Sequence, residues 1–433
     1  MTNVEWEDKI IRDPIHGYIG LTEEEKKIID TPVMQRLRRI KQLATTYLTY
    51  PGAVHTRFEH SLGTMYIADK IAQRLKLDDK RKIIIRFAAL LHDVGHGPFS
   101  HVSEDILKYV NNGRCSHEEI TCDIIRNDES IKEILGDDLK AVIELIEKKK
   151  ERTVESDIIS SQLDADKIDY LKRDSIYAGV MYGRFDISRV IYTMKIQKEK
   201  NKKASYLAIS EKGMDAVEEF VLSRYYMFTQ VYKHHTRMIT DAMVTRAIEL
   251  AFEEKVLRKK DFQYPSNSTK FLENYLRYDD YTLVQKIISE SKGNSMKLLK
   301  GILERKLLKC RYEKSLNEID IPDYKIRDKI NKMTPDNIRK MERSIANDLG
   351  VDEDVVIVNR DVIKNPTYSH PGTTIQPDVI LIQYKDETTR ALSEISPILR
   401  GGEVPYVQKI YVYSPVNEKR RVDKAVEGYL DTI

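Results

Sequence analysis

The stretch LLHDVGHGPFSH, residues 90–101, sets His92, His96, His101 and the carboxylate of Asp93 within twelve residues, beside Gly95, Gly97 and Pro98. Only ten histidines occur in 433 residues, and six of them lie between 55 and 117: His55, His60, His92, His96, His101 and His117. Imidazole titrates nearest neutrality, so such a cluster suits proton transfer or metal ligation. A metal needs several neutral imidazoles or carboxylates converging from different segments. His60 in RFEHSLG (57–63), the adjacent His92 and Asp93, and Asp166 in DADKIDYLKRD (164–174) offer two nitrogens and at least two oxygens. That mixed set suits Mn, Fe, Zn, Co or Ni better than the all-oxygen cage that calcium prefers. Taken singly, each residue reads as readily as a packed histidine or a capping aspartate. The joint pattern is what points to a metal.

Mostly helical segments must position these groups. Thr22–Glu25 reads as a capping box opening a short helix, and Ser116–Glu119 as another. Thr31 and Pro32 read as the N-cap and first residue of a helix through VMQRLRRIKQL, with Met34, Leu37, Ile40 and Leu43 on one face. FEHSLGTMYIADKIAQRL and DKRKIIIRFAALLHD are two further apolar-periodic segments, the second ending at His92 and Asp93. Gly95 and Gly97 are expected to let the backbone turn sharply there. Asp164, Asp166 and Asp169 fall within a helical pattern that puts Asp166 and Tyr170 on one face. TMKIQKEKNKKASYLAI reads as a hairpin with its turn at NKK, and a long helical region is expected from about Met214 to Lys255. The run EKKKER (147–152) reads as a solvated helix end. Near residue 350 the character changes: VDEDVVIVN, PDVILIQY and YVQKIYVYS are β-branched and apolar, and a last helix follows at about 418–430. The fold class is therefore mostly α, a helical core over 1–314 with a short hairpin near 193–209, then a small α/β lobe over 315–433.

The bulk numbers narrow the function classes. Hydrophobic residues make up 41% and charged residues 33%, as in globular domains, and the length suggests two or three units. A net charge of +3 gives no global field for DNA or an anionic membrane, and no aromatic–basic stacking motif marks a nucleic-acid binder. Cys115, Cys122 and Cys310 form an odd, scattered set, which fits a reducing compartment rather than a disulfide framework. The opening MTNVEWEDKI lacks the apolar core of a signal peptide, and no apolar run approaches the roughly 18 residues of a membrane span. The expectation is a cytoplasmic protein with no membrane partner.

RFEHSLG, LLHDVGHGPFSH and DADKIDYLKRD, in that order, resemble the HD superfamily of metal-dependent phosphohydrolases, and more closely its deoxynucleoside triphosphate (dNTP) triphosphohydrolase branch. RDPIHGYI (12–19), DTPVMQRLRRIKQL (30–43), SRYYMFTQVYKHH (223–235) and YVYSPVNEKRRVDKA (411–425) extend the likeness over nearly the whole chain. The resemblance implies that His60, His92, Asp93 and Asp166 bind the divalent metal, with Mg accompanying the nucleotide. It places His96, His101, Glu104 and His117 at active-site positions. The implied reaction converts a dNTP and water to a deoxynucleoside and inorganic triphosphate. The 5′-oxygen is a poor leaving group, so it calls for an acid: His101, oriented by Glu104. Arg57, Lys167 and Arg224 match triphosphate-binding positions. Gln42, Leu43, Tyr170 and Tyr232 match positions lining the sugar, the two tyrosines excluding a ribose, and Asp174 one near the 3′-hydroxyl. Glu104, Lys233 and Arg12 stand where vertebrate members have Asp, Gln and Asn.

The resemblance also implies a second nucleotide site for a GTP or dNTP activator. Asp30, Gln35 and Arg38 match residues that read guanine, a sound pairing of carboxylate with N–H donors and of Arg with O6 and N7. Arg189, Arg305 and Lys309 match phosphate contacts. That site lies between subunits in the family, which implies a homotetramer. The same metal cluster would also serve an HD phosphohydrolase of monophosphates, cyclic dinucleotides or alarmones, or a non-catalytic nucleotide sensor.

Overall fold

The structure, a computed structural model, describes residues 9–113, 115–147, 152–198, 205–265, 268–317, 319–363, 379–399 and 407–432. The N-terminal MTNVEWED, most of the EKKKER run and the NKK turn lie outside the described residues.

The chain is mostly α, as expected. A two-stranded antiparallel ribbon opens it, β1 (Ile10–Asp13) with β2 (Gly17–Gly20). The helices α1 (Glu23–Ile29), α2 (Pro32–Arg36), α3 (Arg57–Arg74), α4 (Asp79–Leu91), α5 (His101–Val110) and α6 (His117–Asn127) follow. The short α7 (Glu129–Leu135), α8 (Leu139–Glu147) and α9 (Val154–Ile159) lead to α10 (Ala165–Ala178) and α11 (Ile187–Thr193). Then come β3 (Met194–Lys198), β4 (Ser205–Ser210), α12 (Met214–Met227), α13 (His235–Glu253), α14 (Thr269–Tyr275), α15 (Asp280–Glu290) and α16 (Asn294–Leu303). The remainder is β5 (Lys309–Ser315), α17 (Tyr324–Lys332), α18 (Pro335–Leu349), β6 (Ile357–Ile363), β7 (Leu381–Gln383), β8 (Thr389–Ala391), α19 (Leu392–Ile395), β9 (Val407–Ser414) and α20 (Lys419–Thr432).

Two compact units interleave along the chain, so neither is a single stretch like the 1–314 and 315–433 division drawn from composition. The first comprises residues 1–232, 260–282 and 366–402. Its core is α3 packed on α4 and α10, with Met65, Ile71, Leu90, Leu91, Ile168 and Leu171 all excluded from solvent. Burying side chains of this size contributes about 1.5–3 kcal/mol each. α3 and α10 cross closely at Gly63, where any Cβ would collide with the Asp169 and Arg173 side chains. The expected hairpin is β3 with β4, and β4 continues in parallel to β7, which pairs with β8. PDVILIQY thus belongs to the first unit and not to a separate lobe. The second unit comprises 233–259, 283–365 and 403–433. There β5–β9–β6 is antiparallel, and Val356, Val412, Met341, Ile345, Val422 and Val426 form its core with α18 and α20.

Both capping boxes form. Thr31 stands at the N-cap of α2, but its hydroxyl donates back to the Ile28 carbonyl and makes no cap bond. The helix expected through VMQRLRRIKQL ends early, passing into a 3-10 turn at Leu37–Arg39. The reason lies in distant partners: the N–H groups of Lys41 and Gln42 bind the Asp280 carboxylate and the His55 carbonyl instead of carbonyls one turn back. Met34, Leu37, Ile40 and Leu43 are nonetheless all buried. The long helix expected from Met214 is also interrupted, by a π-turn at Phe228–Tyr232, before His234 caps α13.

Candidate metal and phosphohydrolase site

The site is assembled from helix ends. Asp78 caps α4 at its start, and His92 and Asp93 leave its far end. Thr56 and Glu59 form a capping box for α3, which sets His60 on its first turn. Asp164 caps α10 by accepting from the Lys167 N–H, so Asp166 lies in that first turn.

The turn after Asp93 differs from expectation. Neither Gly95 nor Gly97 adopts a left-handed backbone; Phe99 and Ser100 do, with φ of 57° and 53°. The glycines serve space instead. A Cβ at Gly95 would strike the His117 carbonyl, and one at Gly97 the Tyr275 hydroxyl. These close approaches bring α6, and with it His117, onto the loop.

Three of the four proposed ligands converge: ligand atoms of His60, His92 and Asp93 all lie within 4.8 Å of one another. Asp166 joins from the imidazole side, its Oδ1 2.9 Å from His60 Nε2 and 3.8 Å from His92 Nε2. Each imidazole is oriented by its other nitrogen. His92 Nδ1 donates to the Ala89 carbonyl at 2.7 Å, which leaves Nε2 as the lone-pair nitrogen. That Nε2 is buried and has no hydrogen-bond partner, although Asp93 Oδ1 lies 3.3 Å away. An orphaned imidazole lone pair facing carboxylates is what a divalent cation would satisfy. His60 Nδ1 donates to Asp169 Oδ2 at 2.8 Å, directing Nε2 toward Asp166 and Asp93.

Without metal, electrostatics fills the same role with protons. Burial disfavours a charged His60, but hydrogen bonds to Asp166 and Asp169 outweigh it and push its pKa up to about 10. Burial also opposes charge on Asp93, yet the Arg57 guanidinium, followed by His92 and His96, holds its carboxyl well below the usual range. A metal bound by His60 would therefore displace that imidazole's proton. Below pH 10 binding releases that proton, so affinity rises with pH, by up to about tenfold per unit for one proton. Titration calorimetry in two buffers of different ionisation enthalpy is expected to show this release between pH 6 and 8; binding without it contradicts the assignment of His60.

Beside the quartet stands a row of histidines around one carboxylate. His96 and His117 stack with ring centroids 3.8 Å apart. Glu104 Oε1 lies 2.7 Å from His117 Nδ1, 3.6 Å from His101 Nδ1 and 3.7 Å from His96 Nδ1. Burial, then Arg57 and His117, keep His96 neutral, well below its ordinary pKa. Burial would raise the Glu104 pKa, but the neighbouring His101 and His117 imidazoles hold it far below the carboxylate range. His101 is the exposed member, its side chain 64% accessible.

The remaining predicted residues divide. Asp174 accepts from the Tyr232 hydroxyl at 2.6 Å and from His55 Nε2 at 2.7 Å, while Tyr170 stands edge-on to both Tyr232 and His60. Gln42 and Leu43 are buried, and Gln42 Oε1 has no partner. The three phosphate candidates are each engaged: Arg57 with Asp93 and Ser100, Lys167 with Asp164, Arg224 with Gln162. Of the activator candidates, Arg38 donates to Gln35 and lies 3.5 Å over the Phe58 ring, and Asp30 pairs with Lys26. Arg189 donates to the Lys212 carbonyl in a cleft of about 910 Å³ in the first unit. Arg305 and Lys309 belong to the second unit. Lys233 pairs with Asp361, and Arg12 stacks on Tyr18.

Sequence reasoning missed the support beneath His60. Asp169 accepts from His60, His16 and Arg173, and Arg173 also reaches Asp13; all but the half-buried His16 are buried. The available signals were the i,i+4 spacing of Asp169 and Arg173 and the presence of His16 in RDPIHG. Among the described residues, no helix is long and apolar enough to cross a membrane.

Comparisons with known proteins identify the family. The HD domain model matches residues 57–174, and the HD associated region model matches residues 185–432. An uncharacterised protein of Methanocaldococcus jannaschii is 40% identical over 279 residues, 64% of this chain and 57% of that protein. The uncharacterised YwfO of Bacillus subtilis is 36% identical over 65% of each chain. The chain thus spans less than two thirds of the length of these two relatives. The deoxynucleoside triphosphate triphosphohydrolase SAMHD1 of Gallus gallus is 29% identical over 73% of this chain and 58% of that protein. A phosphohydrolase crystal structure from Bacteroides thetaiotaomicron matches with a TM-score of 0.73 at 28% identity, covering 94% of this chain and 99% of that one. With one model over the helices that carry the cluster and the other over most of the rest, the chain belongs to the HD-domain proteins that carry an HD-associated region.

Proposed function

We propose that the protein is a metal-dependent dNTP triphosphohydrolase, converting a dNTP and water to a deoxynucleoside and inorganic triphosphate. The observation that carries the hydrolytic reading is the partnerless, buried His92 Nε2 facing Asp93 and Asp166 beside His60. The substrate reading is supported by the likeness to SAMHD1 and by the Tyr232–Asp174–His55 group.

A divalent ion held by His60, His92, Asp93 and Asp166 supplies a Lewis acid for the phosphate and an activated water, with Mn, Fe, Zn, Co or Ni suited to the donors. The chain's own residues do the rest. Asp169 holds His60 in its ligating tautomer, and Arg57 keeps Asp93 ionised. His101 donates a proton to the departing 5′-oxygen, with Glu104 as the carboxylate that orients it. Lys167 and Arg224, together with Mg accompanying the nucleotide, offset the triphosphate charge. Tyr170 and Tyr232 crowd the 2′ carbon, and Asp174 meets the 3′-hydroxyl. The free thiols Cys115, Cys122 and Cys310 support a reducing, cytoplasmic setting.

A substrate panel tests this reading. Metal-loaded protein is expected to turn over dNTPs and to leave nucleoside monophosphates, cyclic dinucleotides and alarmones intact. The reverse pattern contradicts it. The activator part is separable: Asp30, Gln35, Arg38, Arg189, Arg305 and Lys309 would bind GTP or a dNTP between subunits of a homotetramer. Asp30→Ala is then expected to abolish stimulation by GTP, measured as the initial rate with and without it; full stimulation in that variant removes the site.

A further inference from the structure

The loop between Asp93 and His101 carries reacting groups on a backbone that it does not hold by itself. Phe99 and Ser100 are successive left-handed residues, neither a glycine. Such a conformation persists only where the surroundings over-determine it. The surroundings here come from 181 residues along the chain. Asp280 is 4% exposed, and both of its carboxylate oxygens accept backbone N–H groups: Oδ1 from Phe99 at 2.7 Å, Oδ2 from Lys41 at 2.9 Å.

The neighbouring Asp279 shows that this is not capping. Asp279 Oδ1 accepts from the Tyr281 and Thr282 N–H groups at the start of α15, and its Oδ2 pairs with Arg39. Asp280 is left to face the loop. The two segments it joins are also joined by Ser100, whose Oγ donates to the Lys41 carbonyl and accepts from Arg57 Nε, each at 2.8 Å. Arg57 in turn holds Asp93 at 2.5 Å. Upstream, the buried Arg36 ties the His96 carbonyl to the Tyr278 carbonyl.

We infer that Asp280 is a positioning residue for the reaction: its carboxylate pins the Phe99–Ser100 turn to the Lys41–Gln42 segment and so sets where His101 begins α5 and where Arg57 meets Asp93. The inference rests on the reading of His101 and Asp93 as parts of the reacting site. It touches neither substrate nor metal, so its loss acts on geometry alone.

The test uses the full chain, metal-loaded, with Asp280→Asn and Asp280→Ala. Asn keeps the shape but turns an N–H₂ toward one of the two amides. Three readouts are taken: amide hydrogen exchange at Lys41 and Phe99, bound metal, and kcat and KM for a dNTP across pH. Asp280→Ala is expected to lose exchange protection at both amides, Asp280→Asn at the one amide its N–H₂ faces, and both variants are expected to keep the metal. KM and the pH profile stay in place while kcat falls about 10²-fold, the scale of a 1 Å misplacement. An unchanged kcat overturns the inference, and so does a fall in kcat that tracks metal loss or global unfolding. If Asp280→Ala does not fold, Asp280→Asn carries the comparison. If the wild type turns over no dNTP, the substrate reading fails by itself. The exchange data then decide the clamp: protection kept at both amides in Asp280→Asn, or at either amide in Asp280→Ala, overturns it.

Discussion

His92→Ala is expected to purify without its divalent metal and to lose turnover by about 10³-fold or more, the scale of removing a principal electrostatic element of a site. The argument is the tautomer. His92 Nδ1 is committed to the Ala89 carbonyl, so Nε2 has no function in the protein's own hydrogen bonding. Removing the ring removes a ligand and leaves Asp93 and Asp166 facing each other across the gap. Asp93 keeps Arg57, so the fold around it survives. Metal analysis of the purified variant, with circular dichroism as the folding control, checks this. Full metal occupancy in His92→Ala contradicts the ligand assignment.

The second large effect separates chemistry from metal binding. His101→Ala is expected to retain the metal and to lose about 10²–10⁴-fold in kcat, the range for general acid catalysis. His101 opens α5 with its ring mostly in solvent and its Nδ1 near Glu104, while the buried His96 is held neutral on the metal side. A proton donor is needed most when the leaving group is a poor one. The His101→Ala defect is therefore expected to shrink sharply on a substrate with a p-nitrophenolate leaving group, whereas the His92→Ala defect persists on both. Equal losses for His101→Ala on the two substrates would remove it as the acid.

The parts of the site legible in the sequence were those whose residue type and position along one helix suffice. His60, His92, Asp93 and Asp166 sit at helix ends, and it is their joint pattern, not any one of them, that points to a metal. What escaped depends on contacts far apart along the chain. Asp169 could be seen as a third aspartate in DADKID, but not that it faces His60 across Gly63. The 3-10 turn after Arg36 contradicts a good apolar period, because the Asp280 carboxylate takes the Lys41 N–H. The two left-handed residues of the loop are Phe99 and Ser100, while the glycines that drew attention provide clearance for His117 and Tyr275. PDVILIQY read as part of a terminal lobe because strand propensity says nothing of which sheet receives it, and β4 does. Arg57 read as a phosphate ligand, and the structure places two of its nitrogens on Asp93 and Ser100.

The central claim is hydrolysis at the α-phosphorus of a dNTP by the His60–His92–Asp93–Asp166 centre. Phosphorus NMR of metal-loaded protein with a single dNTP, and with GTP added, tests it most directly. The account predicts free inorganic triphosphate appearing in step with the deoxynucleoside, and none from the His92→Ala variant. Orthophosphate or pyrophosphate as the sole phosphorus product would contradict it.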